Sequence, residues 1–428
     1  MVSQQTSKYY FFATLILACF PLFSIKITSL VIGVWVIFAI IFGIIHFKTT
    51  QRISVFQLGI QLALFILLAL WCVIDGSSSA NYLLEKSMSL ALFPIAFYLS
   101  PFKFSTKQIT KIELIFSAAT MLIVAIGILM TFIEIFSLLE KGSVASMYQQ
   151  IANSPDFYFY FRTGFEKYVK LHPTYASLFL GLSFLFILKY LLTNYASLKI
   201  IQRLIFILLL SIVILFQALL ASRTPFAATL FGALLLCYFQ LKRKIIIVYL
   251  LLGVACLSTL LYFTVPSFAA RFAEISVTNT AVPQEGLGDS FNVRSGILTC
   301  SFELIKNNWL IGIGPGNVQP FLNACYMEIS PTAYENMNYN THNQFLGYWA
   351  ALGVLGPLFL LLFLIQPIWK GIKAKNTFPL IIGLFFCICF LTENTLSRQH
   401  GIVPFAFFMC LYFYDITYKE KHNPKKNI

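Results

Sequence analysis

The sequence predicts an all-α polytopic membrane protein with about 12 transmembrane helices. Hydrophobic residues make up 59% of the 428 residues and charged residues only 11%, whereas a soluble domain has roughly a quarter of its residues charged. Apolar stretches of about 18–25 residues recur along the whole chain, and each is long enough to cross a hydrocarbon core of about 30 Å. A soluble protein is therefore excluded.

The hydrophobic pattern places the individual spans, and polar segments separate them. We predict spans near 10–25, 27–47, 54–75, 84–101, 112–138, 172–194, 203–221, 223–241, 245–266, 343–367, 377–394 and 400–416. The first span follows a single lysine, Lys8, and eleven more spans come after it, so we interpret it as an uncleaved helix and not as a signal peptide.

The distribution of charge predicts the orientation of the chain in the membrane. With the N-terminus inside, 19 of the 30 basic residues and only three of the 16 acidic residues lie on the inner side. Basic residues concentrate on the cytoplasmic side of membrane proteins, so both termini are predicted to be cytoplasmic. The net charge of +14 reflects this topology. It indicates anionic membrane lipid as a partner, and no nucleic acid.

This topology divides the chain into four parts. Residues 1–266 hold the first nine helices and a smaller outer loop near 139–171. Residues 267–342 form one large outer loop, which we expect to contain short helices. Residues 343–416 hold the last three helices, and residues 417–428 form a basic cytoplasmic tail.

Cysteines and glycines in the large loop leave open questions. Seven of the nine cysteines lie inside spans, where a thiol behaves as a small apolar group. Cys300 and Cys325 lie in the loop and either form a disulfide, as an oxidising compartment permits, or remain two thiols. The run GIGPG at 312–316 resembles a phosphate-binding loop but follows no strand, so we predict a tight turn there.

Basic side chains gather at the outer ends of the helices. Three of the five histidines open helices on that side, and three arginines lie in outer turns or in the large loop. These residues are His172, His342, His400, Arg223, Arg294 and Arg398. Taken singly, each has an ordinary explanation as an interfacial charge, a solvated charge or a helix cap. Together they indicate an enzyme acting at the outer leaflet, because a transporter places its polar groups near the midplane.

The residue types indicate the chemistry. Guanidinium groups bind phosphate oxygens in bidentate fashion, so Arg223 and Arg294 suit a lipid pyrophosphate. Asp289 and Glu285 are isolated, and no acidic cluster predicts a divalent metal; the arginines would therefore neutralise the leaving pyrophosphate. His342 could take a proton from an attacking hydroxyl. We expect it at the start of the tenth span, with Asn340 or Thr341 as the helix cap.

Three motifs, in this order and spacing, resemble the O-antigen ligase family: SRTPF around Arg223, NNWLIGIGPGN after the Arg294 helix, and THNQFL around His342. The resemblance implies a GT-C-like, metal-independent, inverting glycosyltransferase that needs no cofactor. It also implies that Arg223 and Arg294 bind pyrophosphate and that His342, in a His-Asn pair with Asn343, is the base. Asn343 is also predicted to bind substrate, and Arg398 and His172, which match the family less closely, are further candidates for substrate binding.

The resemblance further implies a donor glycan on undecaprenyl pyrophosphate and an acceptor hydroxyl on the periplasmic face of the bacterial inner membrane. Our first hypothesis is ligation of a surface polysaccharide, such as O-antigen, to lipid A–core. A polymerase that joins polyprenyl-linked repeat units remains the alternative. A flippase or exporter is a third hypothesis, and the apolar spans argue against it.

Overall fold

The computed structural model describes residues 4–45, 54–100, 103–141, 156–220, 222–242, 290–335 and 338–422, together with residues 245, 259 and 263. The described residues form α-helices and two short 3₁₀ helices, and no strand occurs among them. The α-helices are α1 (Gln4–Ala18), α2 (Ile25–Ile45), α3 (Val55–Asp75), α4 (Ser78–Ser87), α5 (Ser89–Leu99), α6 (Thr106–Lys141), α7 (Asp156–Val169), α8 (Pro173–Asn194), α9 (Ile200–Leu219), α10 (Arg223–Gln240), α11 (Ser290–Asn308), α12 (Val318–Ile329), α13 (Pro331–Tyr334), α14 (Gln344–Leu352), α15 (Leu355–Lys373), α16 (Phe378–Phe390) and α17 (Gln399–His422). The 3₁₀ helices are Phe20–Leu22 and Thr395–Ser397.

Seven of the described helices are long and apolar enough to cross a membrane. They are Ile25–Ile45, Val55–Asp75, Thr106–Ser137, Pro173–Asn194, Ile200–Leu219, Leu355–Lys373 and Gln399–Lys419. The predicted all-α polytopic class is confirmed, and the count of twelve spans stays a prediction. The span predicted at 245–266 falls almost wholly outside the described residues, as do parts of both predicted outer loops and the end of the tail.

The chain divides into two compact units. The first unit comprises Met1–Thr50 and Ser100–Ala269. Its most buried long helix is α8, which packs against α6, α9 and α10. An ion pair between Glu113 and Lys189 joins α6 to α8, and Glu113 is buried. Such a pair inside apolar helices stabilises one packing arrangement, because separating it would leave an uncompensated buried charge.

The second unit comprises Gln51–Leu99 and Ala270–Ile428. Helix α17 forms its centre and is buried along nearly its whole length. The Phe405 ring of this helix lies 5.2 Å, between centroids, from the rings of Phe363, Phe386 and Phe390. Aromatic pairs at such separations add to the stabilisation from buried area.

Two predicted spans are each made of two helices. The stretch predicted at 84–101 lies on α4 and α5, which meet at Met88. The stretch predicted at 343–367 is broken after nine residues, between α14 and α15. Gly353 lies at this break with a φ of 67°, in the region that only glycine adopts at low cost. The single tenth helix that we predicted is therefore wrong, and His342 precedes a short helix.

Candidate functional site

His342 lies one residue before the cap of α14, in a backbone turn of its own. Its φ is 42°, which is uncommon for a residue other than glycine. The side-chain oxygen of Asn340 accepts the His342 backbone N–H at 2.9 Å. The cap is Asn343, whose Oδ1 accepts the backbone N–H groups of Phe345 at 2.9 Å and Leu346 at 3.1 Å. The expected cap, Asn340 or Thr341, was thus wrong, because Asn343 fills that position and leaves the His342 ring out of the capping.

The turn that follows α16 packs against the start of α14. The Leu396 N–H donates to Oε1 of Gln344 at 2.7 Å, and Asn343 Nδ2 donates to the Leu391 carbonyl at 3.2 Å. The hydroxyl of Thr341 lies 3.0 Å from Oδ1 of Asn394. Thr341, Gln344 and Asn394 are buried. Buried polar groups that satisfy one another define a single geometry, so the turn has a fixed position relative to His342.

Glu393, on this turn, is the acidic neighbour of His342. Its Oε2 lies 3.5 Å from Nδ1 of His342, and the side chains are 24% and 25% exposed. Nδ1 is buried and has no hydrogen-bond partner within the described part of the chain, so the pair is a charge contact and not a formed hydrogen bond. In the neutral ring, a carboxylate at this distance favours the tautomer that carries its proton on Nδ1. Nε2 is then the nitrogen available to a substrate.

Glu393 was not predicted from the sequence. The acidic residues weighed as metal ligands, Glu285 and Asp289, lie in the large loop, whereas Glu393 lies 51 residues after His342. A signal was present, because an ionisable residue at the end of an apolar helix is a functional candidate by default.

Arg294 lies exposed on α11, as predicted for an arginine on a loop helix. A disulfide between Cys300 and Cys325 links α11 to α12, which settles the question that the sequence left open. The Tyr334 hydroxyl donates to the Val293 carbonyl at 2.9 Å, and its ring stacks on that of Tyr326. Burial raises the pKa of Tyr334 to about 12, so this hydroxyl stays a donor at neutral pH. The backbone beside Arg294 is therefore tied to a cross-linked core.

The same cluster reaches the residues before His342. The Tyr326 hydroxyl donates to the Tyr339 carbonyl at 3.2 Å, and Gln319 Nε2 donates to that carbonyl at 2.9 Å. The Tyr339 ring lies 6.0 Å, between centroids, from the imidazole of His342. The segment leading to His342 lacks regular structure, and these bonds fix it.

Arg398 is exposed and lies between the second 3₁₀ helix and α17, on the same turn as Glu393. His400 is the second residue of α17. The second unit thus places Glu393 beside His342, which precedes Asn343 in the chain, with Arg398 on the adjoining backbone. The side chain of Asn343 is engaged in capping, and its direct contact with a substrate stays a prediction.

In the first unit, His172 and Arg223 lie at neighbouring helix starts. His172 is the cap of α8, and its Nδ1 accepts the Thr174 backbone N–H at 3.3 Å. The Thr174 hydroxyl lies 3.2 Å from that of Ser222, the residue that caps α10. Arg223 is the first residue of α10 and is exposed. The predicted positions of both residues at helix starts are confirmed, and their roles in binding stay predictions.

The described residues contain no group of three or more histidine, cysteine or acidic side chains arranged to hold a metal ion. The residues gathered around His342 are amides, a hydroxyl, an imidazole and one carboxylate. This set can relay a proton and donate hydrogen bonds.

Comparison with known proteins identifies a family that part of the chain resembles. A family model described as O-antigen ligase matches residues 205–361, a stretch that contains Arg223, Arg294, His342 and Asn343. No curated protein matches the chain. The match supports a membrane glycosyl-transfer function in the assembly of O-antigen or other surface polysaccharides. The predicted resemblance is confirmed, and over residues 205–361 this chain is similar to the O-antigen ligase family.

Proposed function

We propose that the protein transfers a glycan from undecaprenyl pyrophosphate to a hydroxyl of lipid A–core. The observation that carries this proposal is the contact of 3.5 Å between the imidazole of His342 and the carboxylate of Glu393. His342 lies within residues 205–361, the stretch that is similar to O-antigen ligases. A ring nitrogen oriented by an acid is a common arrangement for activating a hydroxyl.

The proposed step is a single displacement. Nε2 of His342 takes the proton of the acceptor hydroxyl as its oxygen bonds to the anomeric carbon of the donor sugar. The bond between that carbon and the pyrophosphate oxygen breaks, and undecaprenyl pyrophosphate leaves. Attack from the face opposite the leaving group inverts the anomeric centre. Glu393 stabilises the imidazolium that forms, as a fixed charge placed before the reaction begins.

The arginines neutralise the negative charge of the leaving pyrophosphate. Arg223 and Arg294 are both exposed and lie on helices, where a planar guanidinium can donate two parallel hydrogen bonds to phosphate. Arg398 and His172 are further candidates for contacts to donor or acceptor. Guanidinium groups in this role remove the need for a divalent cation, so transfer should proceed with EDTA present.

The proposed setting is the bacterial inner membrane, with twelve spans, a GT-C-like architecture and both termini in the cytoplasm. The excess of basic residues on the inner segments supports this orientation. The disulfide between Cys300 and Cys325 supports a periplasmic loop, because disulfides persist in oxidising compartments.

A deletion strain tests the proposal. Loss of a ligase should leave long polymer on the lipid carrier and lipid A–core without polymer. Loss of a polymerase should instead leave core capped by single repeat units, and that outcome would replace our proposal by the alternative. Core without polymer, together with glycan retained on the cytoplasmic side of the membrane, would indicate an exporter.

A further inference from the structure

The run GIGPG at residues 312–316 has more contacts than a simple turn requires. We name residues 312–316 the glycine brace, because they join the end of α14 to the end of α3 within the second unit. The brace follows α11, the helix that carries Arg294, and the Gly312 N–H donates back to the Asn308 carbonyl at 2.8 Å.

The brace satisfies the last carbonyls of α14. The N–H of Ile313 donates to the Ala350 carbonyl and the N–H of Gly314 to the Ala351 carbonyl, each at 3.0 Å. The final carbonyls of a helix lack partners within the helix, and here the break before α15 exposes them. The brace therefore stabilises the C-terminal end of the helix whose N-terminal end follows His342.

Backbone contacts leave no room for side chains at this junction. A Cβ on Gly353 would lie 2.1 Å from the Leu310 carbonyl oxygen, and one on Gly312 would lie 2.5 Å from the Gly353 nitrogen. Both glycines also have positive φ. The backbone at the start of the brace is thus in close contact with the backbone at the helix break. A displacement of either one requires displacement of the other.

Asp75, the last residue of α3, holds the brace from the other side. Its Oδ2 accepts the Gly316 N–H at 2.8 Å, and its Oδ1 accepts the Ser77 N–H at 3.3 Å. A Cβ on Gly316 would lie 2.2 Å from the Ser77 hydroxyl oxygen and 2.7 Å from Oδ1 of Asp75. The carboxylate thus fixes the brace against α3, a membrane-spanning helix and a rigid support.

We infer that Asp75 is a positioning residue for the proposed transfer and acts on His342 through the glycine brace and α14. A helix of nine residues has little stability of its own, so its contacts set its position. A displacement of about 1 Å at a reacting group can cost roughly 10²-fold in rate. This inference rests on the proposed function, since it assigns His342 the role of base.

Rates of purified enzyme with lipid-linked donor test the inference. Asp75→Ala removes both accepting oxygens and should lower kcat by roughly 10²-fold, with little change in the binding of donor. Asp75→Asn keeps one accepting oxygen and should fall between Asp75→Ala and the native enzyme. Glu85→Ala, at an exposed carboxylate on the neighbouring α4, is the matched control and should retain native kcat.

The same substitution in an enzyme that already lacks His342 distinguishes a positioning role from general loss of structure. If Asp75 acts through His342, Asp75→Ala should cost little more in a His342→Ala enzyme, because coupled residues are not additive. An equal loss in both backgrounds, or native kcat in Asp75→Ala, would overturn the inference. Native kcat in His342→Ala alone would instead refute the proposed function. The thermal unfolding temperature of Asp75→Asn is expected to lie near that of the native enzyme. This measurement shows whether a lower kcat in this variant is caused by loss of the fold.

Discussion

His172 and His342 both open apolar helices, yet the structure uses them differently. His172 is itself the cap of α8, and its Nδ1 accepts a backbone N–H. His342 lies one residue before the cap of α14, and its Nδ1 faces the carboxylate of Glu393. The asparagine that follows His342 takes over the capping, whereas His172 is followed by Pro173. A shift of one residue thus separates a histidine whose Nδ1 is engaged in capping from one whose Nδ1 takes no part in it.

The largest expected effect is the loss of His342. His342→Ala should lower transfer by roughly 10²–10⁴-fold, the usual contribution of a general base. The matched variant is His172→Ala, which removes a histidine from the other helix start. Equal losses in the two variants would erase the distinction between them. Transfer of radiolabelled glycan to purified acceptor measures both, and donor binding to His342→Ala should be unchanged.

The next largest effect on transfer is expected from Glu393, the acidic neighbour of His342. Glu393→Gln keeps the size of the side chain and removes its charge, so transfer should fall by roughly 10- to 100-fold. We expect less than the 10⁴-fold known for a buried, hydrogen-bonded carboxylate behind a catalytic histidine, because Glu393 is 24% exposed. Glu328→Gln, at an exposed carboxylate on α12, should be silent. A native rate of transfer in Glu393→Gln would show that Glu393 does not orient His342.

Asn343 tests whether capping or substrate contact matters at this position. Asn343→Ala removes the cap of α14 and should destabilise the enzyme by about 0.5–2 kcal/mol. Asn343→Ser retains a capping oxygen and should restore both stability and transfer. Restored thermal stability with transfer still lost would show that the amide of Asn343 contacts the substrate, as the resemblance to the family predicted.

The smallest effect is expected where the capping histidine is replaced by a better cap. His172→Asn should keep the bond to the Thr174 N–H, with a change in unfolding free energy within about 1 kcal/mol. Transfer should stay near the native rate in a membrane-vesicle assay. A loss of transfer at native stability would instead assign His172 a direct contact with substrate.

Much of this fold follows from hydrophobic pattern and charge. Long apolar runs and few charged residues predicted membrane helices correctly, because a bilayer admits few alternatives. The break in the tenth predicted span was missed, since a single glycine within an apolar run also occurs in continuous helices. At Gly353 the backbone of Leu310, just before the glycine brace, occupies the space where a side chain would be, and that contact is not readable from local sequence.

The candidate site was predictable only in part. His342, Arg223 and Arg294 stand out in the sequence as basic groups at the ends of apolar helices. Glu393 and Asp75 act on partners 51 and 241 residues away, and no local pattern pairs them. The capping of α14 by Asn343 was also misassigned, because the run Asn-Thr-His-Asn offers three residues with good capping side chains.

The most direct test of the central claim is the single-turnover rate of His342→Asn with saturating donor and acceptor. Asparagine keeps a hydrogen-bonding side chain at this position but cannot accept a proton near neutral pH. If Nε2 of His342 removes the acceptor proton, the rate should fall by roughly 10²-fold or more, with the donor still bound. Transfer at close to the native rate would contradict the account and would show that His342 is not the base.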